Sequence, residues 1–354
     1  LYLRTPAAMS PLLYPSSSPS EALSHALRER RWWLLVDENT QEQVLPVLAR
    51  QVPELVDLPR FVVPAGEEHK TPETALVLAQ WLTQAGAMRA DGLLVLGGGV
   101  LCDLGAWVAS VYQRGMGLVL VPTTLLAMVD AAWGGKTGLD FCGLKNQLGT
   151  FYKAQFTLVF PELLSTLPEE EWGNGWMEMV KHAWIDRPER LSELAALAHP
   201  KALLHRPDLI LCSTQIKLHL VEADPFDRGV RRWLNAGHTV GHALEALWLE
   251  KGLGLGHGRA VAAGLWLETA WCVQQNLLEE SDLLPLQALL RPWLLPEALK
   301  SVTPHDIWKK MTLDKKNQPG AVLPAVRTRE GMQTQLPMTF EQWQRTYLFI
   351  SQLV

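Results

Sequence analysis

The chain has 354 residues, 48% of them hydrophobic and 19% charged, which is enough apolar material for a real core and excludes a largely disordered protein. At roughly 100–200 residues per domain, this length suits two domains. The 32 Lys and Arg residues against 37 Asp and Glu leave a net charge of −5, which removes the simplest electrostatic case for nucleic acid or an anionic membrane as a partner.

The opening segment Leu1–Leu13 carries one Arg and interrupts its apolar run with Pro6 and Pro11, a poor secretory signal. Met9 is a candidate natural start, the Ser/Pro-rich Pro11–Pro19 reads as flexible, and residues 1–30 are expected to be a lead-in. From Arg31, short leucine-rich or β-branched runs alternate with longer amphipathic ones: Trp32–Val36, Gln41–Arg50, Arg60–Val63, Thr74–Gly86, Gly92–Leu96, Leu101–Tyr112 and Gly117–Val121. Such alternation with few hairpin signals predicts a parallel α/β sheet over 31–165. The most apolar stretch, Met116–Gly135, contains Pro122, Asp130 and a glycine pair and does not read as a membrane span. After Pro161 the period becomes helical, in Pro168–Ile185, Leu191–Ala198, Pro207–Val221, Gly237–Trp248 and Arg259–Gln275, which predicts an all-α domain over 166–354. Many tryptophans fall on these stripes, so packing is their default role. Cys102, Cys142, Cys212 and Cys272 form no C-x-x-C pair, which fits a reducing cytoplasm rather than a disulfide framework.

Gly97–Gly98–Gly99 follows a strand-like run and precedes a helix-like one, a place where glycines let backbone N–H groups approach a pyrophosphate. The G-x-G-x-x-G fingerprint fails at Cys102, so a tight turn and a nucleotide site both stay open. Gly134–Gly135–Lys136–Thr137 resembles the end of a P-loop, but Asp130 stands where its first glycine belongs. Lys136, Lys145 and Asn146 could hold a smaller phosphate or simply line a surface loop. Glu178 and Lys181 share a helical face, commonly no more than a weak surface pair. His238 and His242 lie four apart, the spacing by which two imidazoles reach one divalent ion, and His257 follows in a glycine-rich segment. Three of the chain's 10 histidines so close together point to a metal, with a carboxylate such as Glu178 as a further ligand. A covalent nucleophile is disfavoured, since there is no G-x-S-x-G elbow and no Cys/His motif.

Taken in order, Val36–Asn39, Pro64–Lys70, Gly97–Leu104, Tyr112–Gly115, Val121–Asp130, Gly134–Gly138, Lys145–Asn146, Glu178–Lys181, Leu234–His242, His257–Gly258 and Asp314–Lys316 carry a specific pattern. The chain resembles 3-dehydroquinate synthase, of the sugar-phosphate cyclases. That resemblance implies a Rossmann-like α/β N-terminal domain, an all-α C-terminal domain, and an active site in the cleft between them. It also implies conversion of 3-deoxy-D-arabino-heptulosonate 7-phosphate to 3-dehydroquinate and phosphate, with NAD, a divalent metal (zinc or cobalt) and a homodimer.

Carried over position by position, the resemblance puts the metal on Glu178, His238 and His257, and gives His242 to the substrate phosphate instead. For NAD it gives Asp37, Asn39, Glu67, Lys70, Gly98, Gly99, Asp103, Thr123, Thr124, Lys145, Thr166, Leu167 and Glu171. Substrate positions are Asp130, Lys136, Asn146, Lys181, Lys217, Arg231, Asn235, His242, Lys315 and Lys316, while Arg114 is expected to serve the neighbouring subunit. Cys102, Trp133, Met177, His182 and Arg259 depart from the family's usual residues without removing a ligand. A cyclase acting on a sugar phosphate without a carboxylate, a metal-dependent polyol dehydrogenase and an inactive paralogue are the alternatives.

Overall fold

The structure, a computed structural model, describes residues 18–313, 317–318 and 320–353. They form two compact units, one ending at Pro168 and the other beginning at Glu169. Met9 and the start of the Ser/Pro-rich segment lie outside the described residues. The expectation of a flexible lead-in through residue 30 is corrected for its last part: Pro19–Glu29 is helix α1. Ser18 and Glu21 cap it reciprocally, Pro19 occupies its first turn, and Ala22, Leu23 and Ala26 are buried. Ser-Pro reads as loop chemistry in isolation, yet it is also the pairing that starts a helix.

Strands β1 (Trp32–Asp37), β2 (Arg60–Val63), β3 (Gly92–Gly97) and β4 (Gly117–Pro122) are joined later by β5 (Leu139–Phe141), β6 (Leu144–Leu148) and β7 (Phe156–Thr157). The main sheet runs β2-β1-β3-β4-β7 with every pair parallel. Residues of β3 and β4 are buried throughout, as near-continuous Leu/Val runs require when a strand is covered on both faces. Helices α2 (Leu45–Ala49), α3 (Pro72–Gln84) and α4 (Gly99–Val111) fill the connections. A π turn at Thr40–Val44 leads into α2, where Pro46 has no N–H to give the preceding turn.

The antiparallel hairpin of β5 and β6 was not legible in the sequence. Phe141 pairs with Leu144 across a two-residue turn in which Cys142 (φ 52°) and Gly143 (φ 75°) are both left-handed, the geometry of a type I′ turn made here without the usual Asn-Gly or Asp-Gly.

The second unit is largely helical: α5 (Glu169–Asp186), α6 (Leu191–Ala195), α7 (Pro207–Ala223), α8 (His238–Glu250), α9 (His257–Gln274), α10 (Glu280–Leu290), α11 (Pro296–Lys300), α12 (Pro304–Met311) and α13 (Phe340–Leu353). It also contains two small antiparallel pairs, β8 (Ala321–Val322) with β11 (Met338–Thr339) and β9 (Val326–Thr328) with β10 (Gly331–Gln333), so it is not purely α. Trp172, Trp176, Trp184, Trp248, Trp271 and Trp343 are buried, as packing residues. No helix among the described residues is long and apolar enough to cross a membrane.

Candidate active site

In the first unit the strand order turns back on itself between β1 and β3, and open parallel sheets bind ligands at the carboxyl ends of strands beside such a point. Asp37 ends β1, Gly98 and Gly99 follow β3, and Thr123 and Thr124 follow β4. Gly98 caps α4, and a Cβ there would stand 2.9 Å from Thr124 Cγ2, so glycine keeps the helix N-terminus open to close approach. The Asp37 carboxylate accepts from the Thr40 N–H at 2.7 Å, and Asn39 beside it is exposed.

Lys70 is buried, its ammonium 2.7 Å from Glu67 Oε1, 3.5 Å from Asp103 Oδ2 and 3.7 Å from Asp140 Oδ1. Burial alone would lower the Lys70 pKa, but Asp103 and the other carboxylates outweigh it and hold it above its usual value. Burial pushes Asp103 up to about 7 against the pull of Lys70. Asp140 is the member of this cluster that sequence reasoning missed. It sits on β5, inside the hairpin that left no signal.

Thr166 closes the 3-10 turn Pro161–Thr166 and donates to Leu163 O at 3.0 Å, with Leu167 next to it. Glu171 lies in the other unit, in the first turn of α5, and accepts from Asn174 Nδ2 at 3.1 Å. Asp130 lies in a π turn, Ala127–Ala131. Lys136 is exposed just after Gly134 (φ 94°) and Gly135 (φ 65°), a sharp turn that only glycine adopts without strain. Lys145 and Asn146 are exposed on β6, and the Asn146 N–H donates to Asp140 Oδ1 at 2.8 Å. Arg114 is exposed at φ 68° in the turn that ends at Gly115.

In the second unit, α5, α8 and α9 approach closely enough to bring Glu178, His238 and His257 together. Glycine permits the approach: a Cβ at Gly258 would come 2.4 Å from the Gly173 carbonyl oxygen, and one at Gly264 would come 1.9 Å from that of Gly237. Asn174 Oδ1 accepts from the Gly258 N–H at 2.8 Å, tying α5 to the start of α9. The buried Glu268 accepts from Gly237 N–H at 2.7 Å and Val240 N–H at 3.0 Å, fixing the start of α8. Burial pushes its pKa up to about 8 although those N–H groups favour the carboxylate.

Gly264→Ala sets a methyl against backbone rather than against a side chain that could move. It is expected to cost about 1–3 kcal/mol. A lowered thermal midpoint together with weakened metal retention checks this, and an unchanged midpoint would contradict the close α8–α9 packing.

His238 Nε2 and His257 Nε2 each lie 3.4 Å from Glu178 Oε1. That oxygen is buried and forms no hydrogen bond among the described residues. All three ligand atoms lie within 4.8 Å of one another. Ligands about 2.0–2.1 Å from a tetrahedral ion stand about 3.3 Å apart, so the two 3.4 Å separations to Glu178 suit neighbouring corners of a metal's coordination shell. The other ring nitrogens are engaged elsewhere, His238 Nδ1 with Ala236 O at 3.1 Å and His257 Nδ1 with Glu245 Oε2 at 3.3 Å.

The second Glu178 oxygen is bonded to the Lys181 ammonium. Burial would raise the Glu178 pKa, but Lys181 and His238 hold it well below the usual carboxylate range. Burial and Lys181 lower His238. His257, despite burial, is pushed up to about 9 by Glu178 and Glu245. The cluster therefore favours positive charge, and a divalent ion would take the place of that proton. His242, which spacing alone had paired with His238, is exposed, its ring 5.0 Å from that of His238. It forms a second group of ligand-type atoms with Glu245 and His257.

Lys217 is buried on α7 and Arg231 is buried in the turn Val230–Asn235, whose last residue is Asn235. The Arg231 guanidinium donates to Pro225 O at 2.8 Å. Lys315 and Lys316 lie outside the described residues. The departures are absorbed locally. Cys102 is buried with Sγ 3.7 Å from Gly97 O, and Trp133 is buried and donates to Met128 O at 2.6 Å. Met177 is buried, His182 Nδ1 stands 2.8 Å from Ser213 Oγ, and Arg259 donates to Trp293 O at 3.2 Å.

Comparison with known proteins agrees along the length of the chain. Residues 60–174 match the 3-dehydroquinate synthase N-terminal family and residues 175–317 the 3-dehydroquinate synthase C-terminal family. The 3-dehydroquinate synthase of Pyrococcus abyssi is 43% identical over 264 residues, 74% of this chain and 76% of that protein. That of Latilactobacillus sakei is 38% identical over 283 residues, 79% and 78% of the two chains. Among solved structures, 2-epi-5-epi-valiolone synthase from Streptomyces hygroscopicus, with NAD+ and Zn2+ bound, superposes with a TM-score of 0.80 at 24% identity, covering 100% of this chain and 99% of that one. With both halves matched and identity sustained over three quarters of two curated relatives, the chain belongs to the 3-dehydroquinate synthase family.

Proposed function

We propose that the chain carries out this family's reaction, converting 3-deoxy-D-arabino-heptulosonate 7-phosphate to 3-dehydroquinate and phosphate on the shikimate route to aromatic amino acids. It would act with NAD and one divalent metal, as a homodimer in the cytoplasm. The observation that carries the reading is the convergence of Glu178, His238 and His257 on one point. Three protein ligands leave a coordination position open, as catalytic rather than structural sites do. When bound there, a divalent ion supplies Lewis acidity to substrate oxygens. NAD supplies a temporary acceptor for the substrate's hydride. The cofactor reading is supported by the positions of Asp37, Gly98, Gly99, Thr123 and Thr124 at strand ends beside the switch point.

The remaining residues bind and orient. Lys136, Asn146, Asn235 and His242 are assigned to the phosphate, and Lys217 with Arg231 to the carboxylate, since fixed cations and amide or imidazole N–H donors hold planar and tetrahedral anions in one pose. Asp130, Lys181, Lys315 and Lys316 complete the substrate set, and Arg114 is assigned to the neighbouring copy. Lys181 has a further task, because its ammonium on Glu178 leaves the other carboxylate oxygen facing the two imidazoles.

The test is purified protein with the heptulosonate phosphate. Phosphate release should require NAD yet leave its concentration unchanged, because the hydride removed is returned to the same substrate. NADH accumulating in step with substrate loss would favour a polyol dehydrogenase instead.

A further inference from the structure

An imidazole can hold a metal only if one ring nitrogen offers its lone pair, so the proton must stay on the other, and the partner of that other nitrogen decides the matter. For His238 the partner is a backbone carbonyl, Ala236 O, 3.1 Å from Nδ1. A carbonyl only accepts, which places the proton on Nδ1 and frees Nε2 toward Glu178. For His257 the corresponding partner is a side chain, Glu245 Oε2, 3.3 Å from Nδ1. Glu245 lies on α8 seven residues beyond His238, two turns along the same face. A single helix thus contributes one ligand of its own and braces a second that stands on α9. Glu245 is itself 19% exposed, so its contact with His257 is partly shielded from water.

We infer that Glu245 is a positioning residue for the metal site: by accepting from His257 Nδ1 it fixes the ring so that Nε2 faces Glu178 Oε1, and it thereby sets how tightly the metal is held. This rests on the metal reading given above. The alternative is that Glu245 acts only through its negative charge. His238 argues for orientation, because a neutral carbonyl serves the same purpose there.

Three variants separate the two roles. Glu245→Gln keeps an oxygen within reach of Nδ1 and removes the charge. Glu245→Asp keeps the charge and withdraws the acceptor by one methylene. Glu245→Ala removes both. Zinc affinity of the purified full chain, measured by competition with a chromophoric chelator, is expected to fall about 10–100-fold in Glu245→Ala. Glu245→Asp should fall with it, whereas Glu245→Gln should recover most of the loss. In cobalt-loaded protein the visible absorption bands should shift in the Ala and Asp variants and stay in place in the Gln variant, a signature that general destabilisation would not produce.

Wild-type affinity in Glu245→Ala, or full affinity in Glu245→Asp with loss in Glu245→Gln, would overturn the orienting role while leaving the metal site standing. A wild-type chain that retains no metal would overturn both readings. Should the Ala variant not fold, the Gln and Asp pair decides alone.

Discussion

His257→Ala should yield a protein that still binds NAD but carries far less than one metal ion per subunit and has lost nearly all activity. The imidazole is one of the three proposed ligand groups, and its Nε2 stands 3.4 Å from the Glu178 oxygen that would share the ion. Without it, only one carboxylate and one imidazole would remain to hold an ion, too few to retain it against water. Lewis-acid assistance by a bound metal is worth several kcal/mol, and each 1.4 kcal/mol is a factor of ten, so a fall in kcat/KM of roughly a thousandfold or more is expected. Metal analysis of the dialysed variant beside the wild type checks the first half, and phosphate release checks the second. Chelator treatment of the wild type should reproduce the loss, and added zinc should reverse it. Full metal content in His257→Ala would remove this residue from the site. Retained NAD binding is the control for folding, since the proposed NAD positions other than Glu171 lie in the first unit.

Much of the fold was legible because its signals are local. The Leu/Val runs that became β1 through β4 are short, apolar and separated by amphipathic stretches, and that alternation admits few architectures. Helix α1 was hidden because its Ser18-Pro19 start also reads as a flexible linker. The hairpin of β5 and β6 was hidden because its residues are mostly exposed, so no buried face imposes an alternating pattern on the sequence. The short β8 to β11 strands have two or three residues each, too few for an alternation of period two to repeat.

At the site, spacing alone drew His238 to His242, since residues four apart on a helix are neighbours. The meeting of Glu178, His238 and His257 instead depends on the packing of three helices that are distant in sequence, and on the glycines Gly258 and Gly264 that allow it. Periodicity within one segment cannot report contact between segments, so the residue types offered His242, His257 and Glu178 together as candidates, and only the family pattern set His242 aside from the ligand set. Glu245 could have been found by its two-turn offset from His238. Glu268 could not, because a carboxylate within an otherwise apolar helix gives no hint that it accepts from the first turn of another.

Lys217→Met is expected to erode the enzyme's preference for an acidic over a neutral substrate by orders of magnitude. Lys217 and Arg231 are both buried in the helical unit, on α7 and on the turn before α8. Under the proposed function these two positions are the family's carboxylate contacts, and a carboxylate carried into a water-poor site needs charged donors. The heptulosonate phosphate has one and sedoheptulose 7-phosphate does not, so the wild type should strongly prefer the acid. Removing one member of a buried charge pair costs about 3–5 kcal/mol, which corresponds to roughly two to three and a half orders of magnitude in kcat/KM for the acid. Methionine matches the apolar stem of lysine up to Cε while removing the charged ammonium, so turnover of the neutral sugar phosphate, which offers no anion at that point, should change little. Steady-state kinetics with both substrates on wild type and Lys217→Met makes the comparison. Equal efficiency of the wild type on the two substrates, or an acid reaction untouched in the variant, would remove Lys217 from carboxylate recognition and favour a cyclase for neutral sugar phosphates built on the same fold.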